Sequence, residues 1–183
     1  EATAKAEAVR IAEEFWPLRF RMQGKFISLE RAIAQAETNK GPVIFTDAAD
    51  ATSSGATGDS AIIIDGLHRA ATKKRVLAQI VDPKAAAAAH KAGVGATIDV
   101  TLGGAIDPKR FKPMKVKAHV KLLSDGRARL ETMKTGLDAG PTAVLTFGTF
   151  TVVVFSKTLS LFDRAMYYAN GLDPKDFDVI VVK

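Results

Sequence analysis

The chain contains no cysteine. Disulfides, a cysteine nucleophile and every thiolate metal site are therefore excluded, and the composition fits a cytoplasmic protein. Long apolar runs are missing too. Nothing approaches the roughly 18 consecutive apolar residues that a membrane span needs, so no membrane partner is expected. Glu1-Ala2-Thr3-Ala4-Lys5-Ala6 is not the charged-then-apolar start of a secretory signal. Histidine is scarce: His68, His90 and His119 are the only three, and none belongs to H-E-x-x-H or another close ligand pair. A hydrolytic zinc site needs about three protein ligands, so no metal site is expected here. G-x-S-x-G, G-x-G-x-x-G and the phosphate-loop Gly-Lys-Ser/Thr are all absent, which leaves no assignable catalytic residue.

What is present is a globular composition, 47% hydrophobic and 25% charged over 183 residues. That suits one domain with a small appendage. The net charge of +6 raises a nucleic-acid reading. The basic residues are scattered, with short clusters at Lys73-Lys74-Arg75 and Lys109-Arg110-Phe111-Lys112, and no binding motif accompanies them. No nucleic-acid partner is expected.

Hydrophobic periodicity divides the chain into a strand–helix front and a strand-rich rear. Residues 3 to 22 read as a helix that Pro17 bends or divides, with Phe15 and Trp16 on its apolar face. An exposed face of that kind favours self-association into a homo-oligomer. Ser28 caps a second helix through the Arg31 amide. Val43 to Thr46 reads as a buried strand, Asp59 caps a helix, and Arg75 to Val81 forms the next strand. Asp82-Pro83 opens a helix that Gly93 stops. Thr97 to Leu102 is a strand. Lys115 to Leu122 alternates charged and apolar, as a strand with one wet face does. Strands around 128 to 132, 143 to 147 and 151 to 155, a helix from Leu161 to Ala169 and a last strand at 179 to 182 complete the reading. The expected fold is α/β: a mixed sheet layered with helices, parallel βαβ-type in front and antiparallel-rich behind. Lys183 follows a buried-looking strand directly, so a truncation or an additional tail is expected.

One loop carries a signal. Residues 47 to 60 leave the carboxyl end of a strand and enter a helix, the usual place for a site in an α/β sheet. Asp47, Asp50 and Asp59 supply carboxylates, and Ser53, Ser54, Gly55, Gly58 and Ser60 keep the backbone accessible. Free amides at Asp59-Ser60 would attract an anion. The same residues read equally as a cap (Asp59) and local turns (Asp47, Asp50). These eight residues are the candidate substrate-binding set, and they are expected on a rigid, solvent-facing bend.

Gly41 to Asp50, followed by Gly55 and Gly58-Asp59-Ser60, resembles the signature of the C-terminal domain of the MlrC (microcystinase C)-like zinc metallopeptidases. Ile80-Val81-Asp82-Pro83, Ala92 to Ala96, Leu102-Gly103-Gly104, Asp107-Pro108, Leu123 to Gly126, Gly140 to Leu145 and Ser160 to Asp163 fit the same pattern in order. Ala51-Thr52-Ser53-Ser54-Gly55 stands where many relatives have Asn-Pro-Gly-Gly-Gly, which alters the loop's contacts. The resemblance implies a fragment of a metallopeptidase. Residues 25–183 would form the C-terminal domain, and residues 1–24 the helix connecting it to a missing N-terminal domain that holds zinc. This chain would bind none, and would form one wall of a cleft for a peptide or other small-molecule substrate. The rival reading is a stand-alone module that binds a small molecule or anion with residues 47 to 60.

Overall fold

The computed structural model describes residues Glu1–Lys183. Helix α1, Ala2–Phe15, runs into a 3-10 turn at Trp16–Leu18, so Pro17 ends the α-helix as its missing amide requires. None of the residues of α1 is buried. Helix α2, Leu29–Thr38, starts where the Ser28 hydroxyl oxygen accepts the Arg31 amide at 3.3 Å. Strand β1 is Val43–Thr46, α3 is Ile62–Arg69 and β2 is Val76–Val81. Helix α4, Pro83–Ala92, is capped by Asp82, which accepts the Ala85 amide at 2.9 Å, and stops at Gly93 with φ +85. Then follow β3 (Thr97–Leu102), β4 (Met114–Ser124), β5 (Arg127–Arg129), β6 (Gly136–Asp138), β7 (Thr142–Phe147), β8 (Phe150–Phe155), α5 (Ala165–Tyr168) and β9 (Val179–Val182).

Seven strands form one sheet in the order β1-β9-β2-β8-β7-β4-β3. Contacts are parallel from β1 through β9 and β2 to β8, and antiparallel from β8 through β7 and β4 to β3. The fold is thus the expected mixed α/β sheet. Strands β2 and β8 are buried at every position, so their sequences lack alternation. Their side chains still divide by parity. Val76, Ala78, Ile80, Val152 and Val154 join a core under α2, α3 and α4, while Leu77, Val81, Val153 and Phe155 join a second core with Leu161, Met166 and Tyr167. Each fully buried Val, Leu or Ile contributes roughly 1.5–3 kcal/mol. The sheet is therefore a middle layer between helices and an irregular layer that carries α5.

Several expectations are corrected. The third helix begins at Ile62, and Asp59 does not cap it. Ile62 is exposed, and Ile63, Ile64 and Leu67 form the buried face. The helix expected from Leu161 to Ala169 shrinks to α5, because the Asp163 carboxylate accepts the Ala165 amide and holds the preceding residues in a turn. Strand β5 is shorter than expected and pairs only with β6, outside the main sheet. Strand β9, last in sequence, is inserted between β1 and β2. No helix is long and apolar enough to cross a membrane.

Candidate functional site

The parallel strands β1, β9, β2 and β8 end along one edge of the sheet, where an α/β fold commonly places its site. Residues 47 to 60 arch over that edge in two 3-10 turns, Ala48–Asp50 and Thr52–Ser54. Asp47 continues the register of β1, its amide bonding the Val182 carbonyl at 2.9 Å. Lys183 continues β9 in the phase of Val179 and Val181, so both side chains enter the helix-side face.

There the two strand ends meet. The Lys183 ammonium donates to Ser60 O at 2.7 Å, Asp50 Oδ2 at 2.9 Å and Asp47 Oδ2 at 3.3 Å. All three side chains are sealed, Lys183 at 1%, Asp50 at 0% and Asp47 at 6% exposure. Asp50 also accepts the Gly58 amide at 2.9 Å and the Ser60 amide at 2.8 Å. A buried carboxylate pair is tolerable only with compensation, and here an ammonium and two amides provide it.

Asp59 has a different job from the cap expected of it. Its carboxylate accepts the Ile106 amide at 2.7 Å, the Asp107 amide at 2.9 Å and the Thr57 hydroxyl. It thereby pins the segment after β3 against the loop. Asp82 does the same one strand further along, accepting Gly103 N at 2.9 Å besides capping α4. The Arg110 guanidinium donates to Ala49 O at 2.8 Å, and the Leu161 amide donates to the Thr52 hydroxyl oxygen at 3.1 Å. The loop is held from three sides.

This geometry corrects the solvent-facing arrangement expected of the acids. Asp47, Asp50, Asp59 and Ser60 are buried and Gly58 is closed in. Of the amides expected to draw an anion, that of Ser60 is taken by Asp50, which also takes the neighbouring Gly58 amide, and the Ser60 hydroxyl oxygen accepts the Ile62 amide at 3.3 Å. Of the eight candidates only Ser53, Ser54 and Gly55 stand on the exposed crest. Burial therefore removes the physical argument that linked these acids to an open site. Sequence reasoning missed Lys183, although its parity with Val179 and Val181 marks it as inward-facing.

Zinc does not fit the side chains present. No three His, Asp or Glu groups converge. The His68 ring stands edge-on to Phe147 and Phe150 at 5.8 and 5.7 Å between centroids, His90 Nε2 lies 3.1 Å from Thr142 O, and His119 is exposed on β4. The buried carboxylates of Asp47 and Asp50 already share an ammonium.

Beside the loop lies an apolar hollow of about 400 Å³ lined by Phe26, Ile27, Phe45, Ala48, Ala49 and Ile62 among others. Phe26, on its rim, is 78% exposed, and earlier in the N-terminal segment Trp16 is 68% and Phe20 67% exposed.

With the geometry described, comparisons with known proteins place the chain. A model of the family described as MlrC C-terminus matches residues 45–183. No curated protein matches. A crystal structure of a protein described as a putative metallopeptidase from Mesorhizobium sp. BNC1 is similar, with a TM-score of 0.83 and 26% identity. The similarity covers 94% of this chain but 35% of that one, so the chain spans about a third of that protein's length.

Proposed function

The chain belongs to the MlrC C-terminus family, and from that membership we propose that it is the cleft-forming, non-catalytic portion of a zinc-dependent, metallopeptidase-like hydrolase. The metal ligands and the catalytic groups lie in another portion of the full-length protein. That portion docks on the N-terminal segment and the hollow beside residues 47 to 50. The observation that carries this reading is the apolar surface: α1 buries nothing, and Phe26 and Ile62 stand exposed around the hollow next to the loop. Large apolar side chains left exposed around a hollow mark a contact face.

Within the loop, Ser53, Ser54 and Gly55 touch the peptide substrate, while Asp47, Asp50, Gly58, Asp59 and Ser60 hold that crest in place. Peptide hydrolysis by the full-length protein with both Phe26→Asp and Ile62→Asp tests the docking. Activity falls at least about tenfold, because charges in a buried apolar contact are costly, while bound zinc per chain stays unchanged. Unaltered activity refutes the docking face, and loss of zinc refutes the division of labour.

A further inference from the structure

The net charge of the chain is confined to one stretch. From Pro108 to Ser124 there are six lysines and arginines and no acid, and the rest of the chain balances, with twenty basic residues against twenty acidic. The structure turns this stretch into a surface. Lys115, Lys117, His119 and Lys121 are exposed on β4, opposite the buried Met114, Val116, Ala118 and Val120. Every ion pair in the chain is made by other cations. A shallow groove of about 390 Å³ runs along the ribbon between Asp99, Thr101, Lys115 and Lys117.

The edge of β4 is open at the same place. The β7 ladder begins only at His119, whereas β3 pairs with β4 back to Met114. Val120 exchanges backbone bonds with Gly95 and Ala96 on the β3 side. By the alternation of an antiparallel ladder, Lys115 and Lys117 turn their own amide and carbonyl groups away from β3. No strand of the sheet faces them there.

From these two features we infer that the β4 edge at Lys115–Lys117 is a docking site for an extended acidic polypeptide segment. The segment adds a strand, and its acidic side chains at alternate positions face the lysines. Alternate residues of a strand lie about 6.8 Å apart on one face, so a glutamate at every second position meets one lysine after another. Nucleic acid would use the charge but not the backbone groups. A second copy of the chain is disfavoured, because like charges would stand opposite each other and edge lysines act against self-pairing. The inference does not depend on the peptidase reading.

The test is fluorescence anisotropy with short labelled peptides and the intact chain at low and high salt. One peptide alternates glutamate with threonine and valine, one has the same composition with its glutamates in a block, and one alternates lysine instead. A short DNA duplex is the fourth probe. The alternating acidic peptide binds at least about tenfold more tightly than the other two peptides, weakens with salt, and protects the Lys115 and Lys117 amides from exchange. A K115E/K117E variant, with an unchanged circular dichroism spectrum, loses that binding and gains the lysine peptide. Equal binding of the blocked peptide, tighter binding of the duplex, absence of binding, or binding that leaves both amides unprotected overturns the inference.

Discussion

Lys183 and Asp163 decide the most at the scale of single residues. Replacing Lys183 with Met leaves Asp47 and Asp50 buried without their ammonium, which costs about 3–5 kcal/mol. The Arg69–Asp65 pair joins an arginine 78% exposed to its neighbour one turn away, and Arg69→Met costs under about 1 kcal/mol. Urea denaturation of the two variants separates them, and equal losses would refute the keystone role. Asp163 is buried, which would push its carboxyl up, but the Thr132 hydroxyl and the amides of Thr132, Ala165 and Glu131 outweigh burial and hold it down at about 2. A carboxyl lower in the folded than in the unfolded chain stabilises fully above about pH 4 and loses that contribution as pH falls towards 2. The stability gap between wild type and Asp163→Asn therefore narrows between pH 5 and pH 2; a constant gap would contradict this. Little of this was legible beforehand. A sequence names the aspartates of residues 47 to 60 but not their partners, which are 133 positions away for Lys183 with Asp50 and 47 away for Asp59 with Ile106.

At the scale of elements, most strands and helices followed from local rules. Ser28 and Asp82 both cap the helices their positions suggested. Thr97–Leu102 and the β7–β8 hairpin follow from β-branched runs and alternation. Val43–Thr46 is the strand expected but not a buried one: it lies at the sheet's edge with Phe45 buried and Ile44 65% exposed. Failures came where long-range bonds override local signals. Asp59 looks like a cap but is drawn to Ile106 and Asp107. β9 is the buried strand expected, its unalternating Val-Ile-Val-Val run suiting burial on both faces, but its place between β1 and β2 is a long-range pairing that no local signal marks. Loop geometry gives a further prediction. Gly58 has φ +79, and a Cβ there would lie 2.7 Å from Thr52 Cγ2 and 2.9 Å from Val81 Cγ2. Gly55 has φ +87 but meets nothing within 4 Å. Gly58→Ala combines backbone strain with overpacking and costs at least about 2 kcal/mol, whereas Gly55→Ala costs about 1 kcal/mol. Thermal denaturation of both variants checks the order, and a reversed order would contradict the packing of the loop.

For the molecule as a whole, the edge of the sheet is held rigidly while other surfaces stand open. The carboxyl edge of the sheet is locked by buried acids, one ammonium and backbone amides, so the loop is held in one place. The N-terminal segment and the hollow at Phe26 and Ile62 expose apolar side chains, and the β4 edge at Lys115 and Lys117 exposes basic ones. The fold class was legible in the sequence because periodicity reports burial. The family was legible through ordered short motifs, and residues 45–183 match it. The openness of the acidic loop was not legible, since burial of Asp47 and Asp50 depends on a lysine delivered by the last strand of the sheet.

The central claim is that zinc is held elsewhere in the full-length protein, and zinc titration of this chain by calorimetry tests it most directly. No stoichiometric site tighter than about micromolar is expected, because a tight zinc site needs converging ligands that these side chains do not provide. One tightly bound zinc per chain would contradict it.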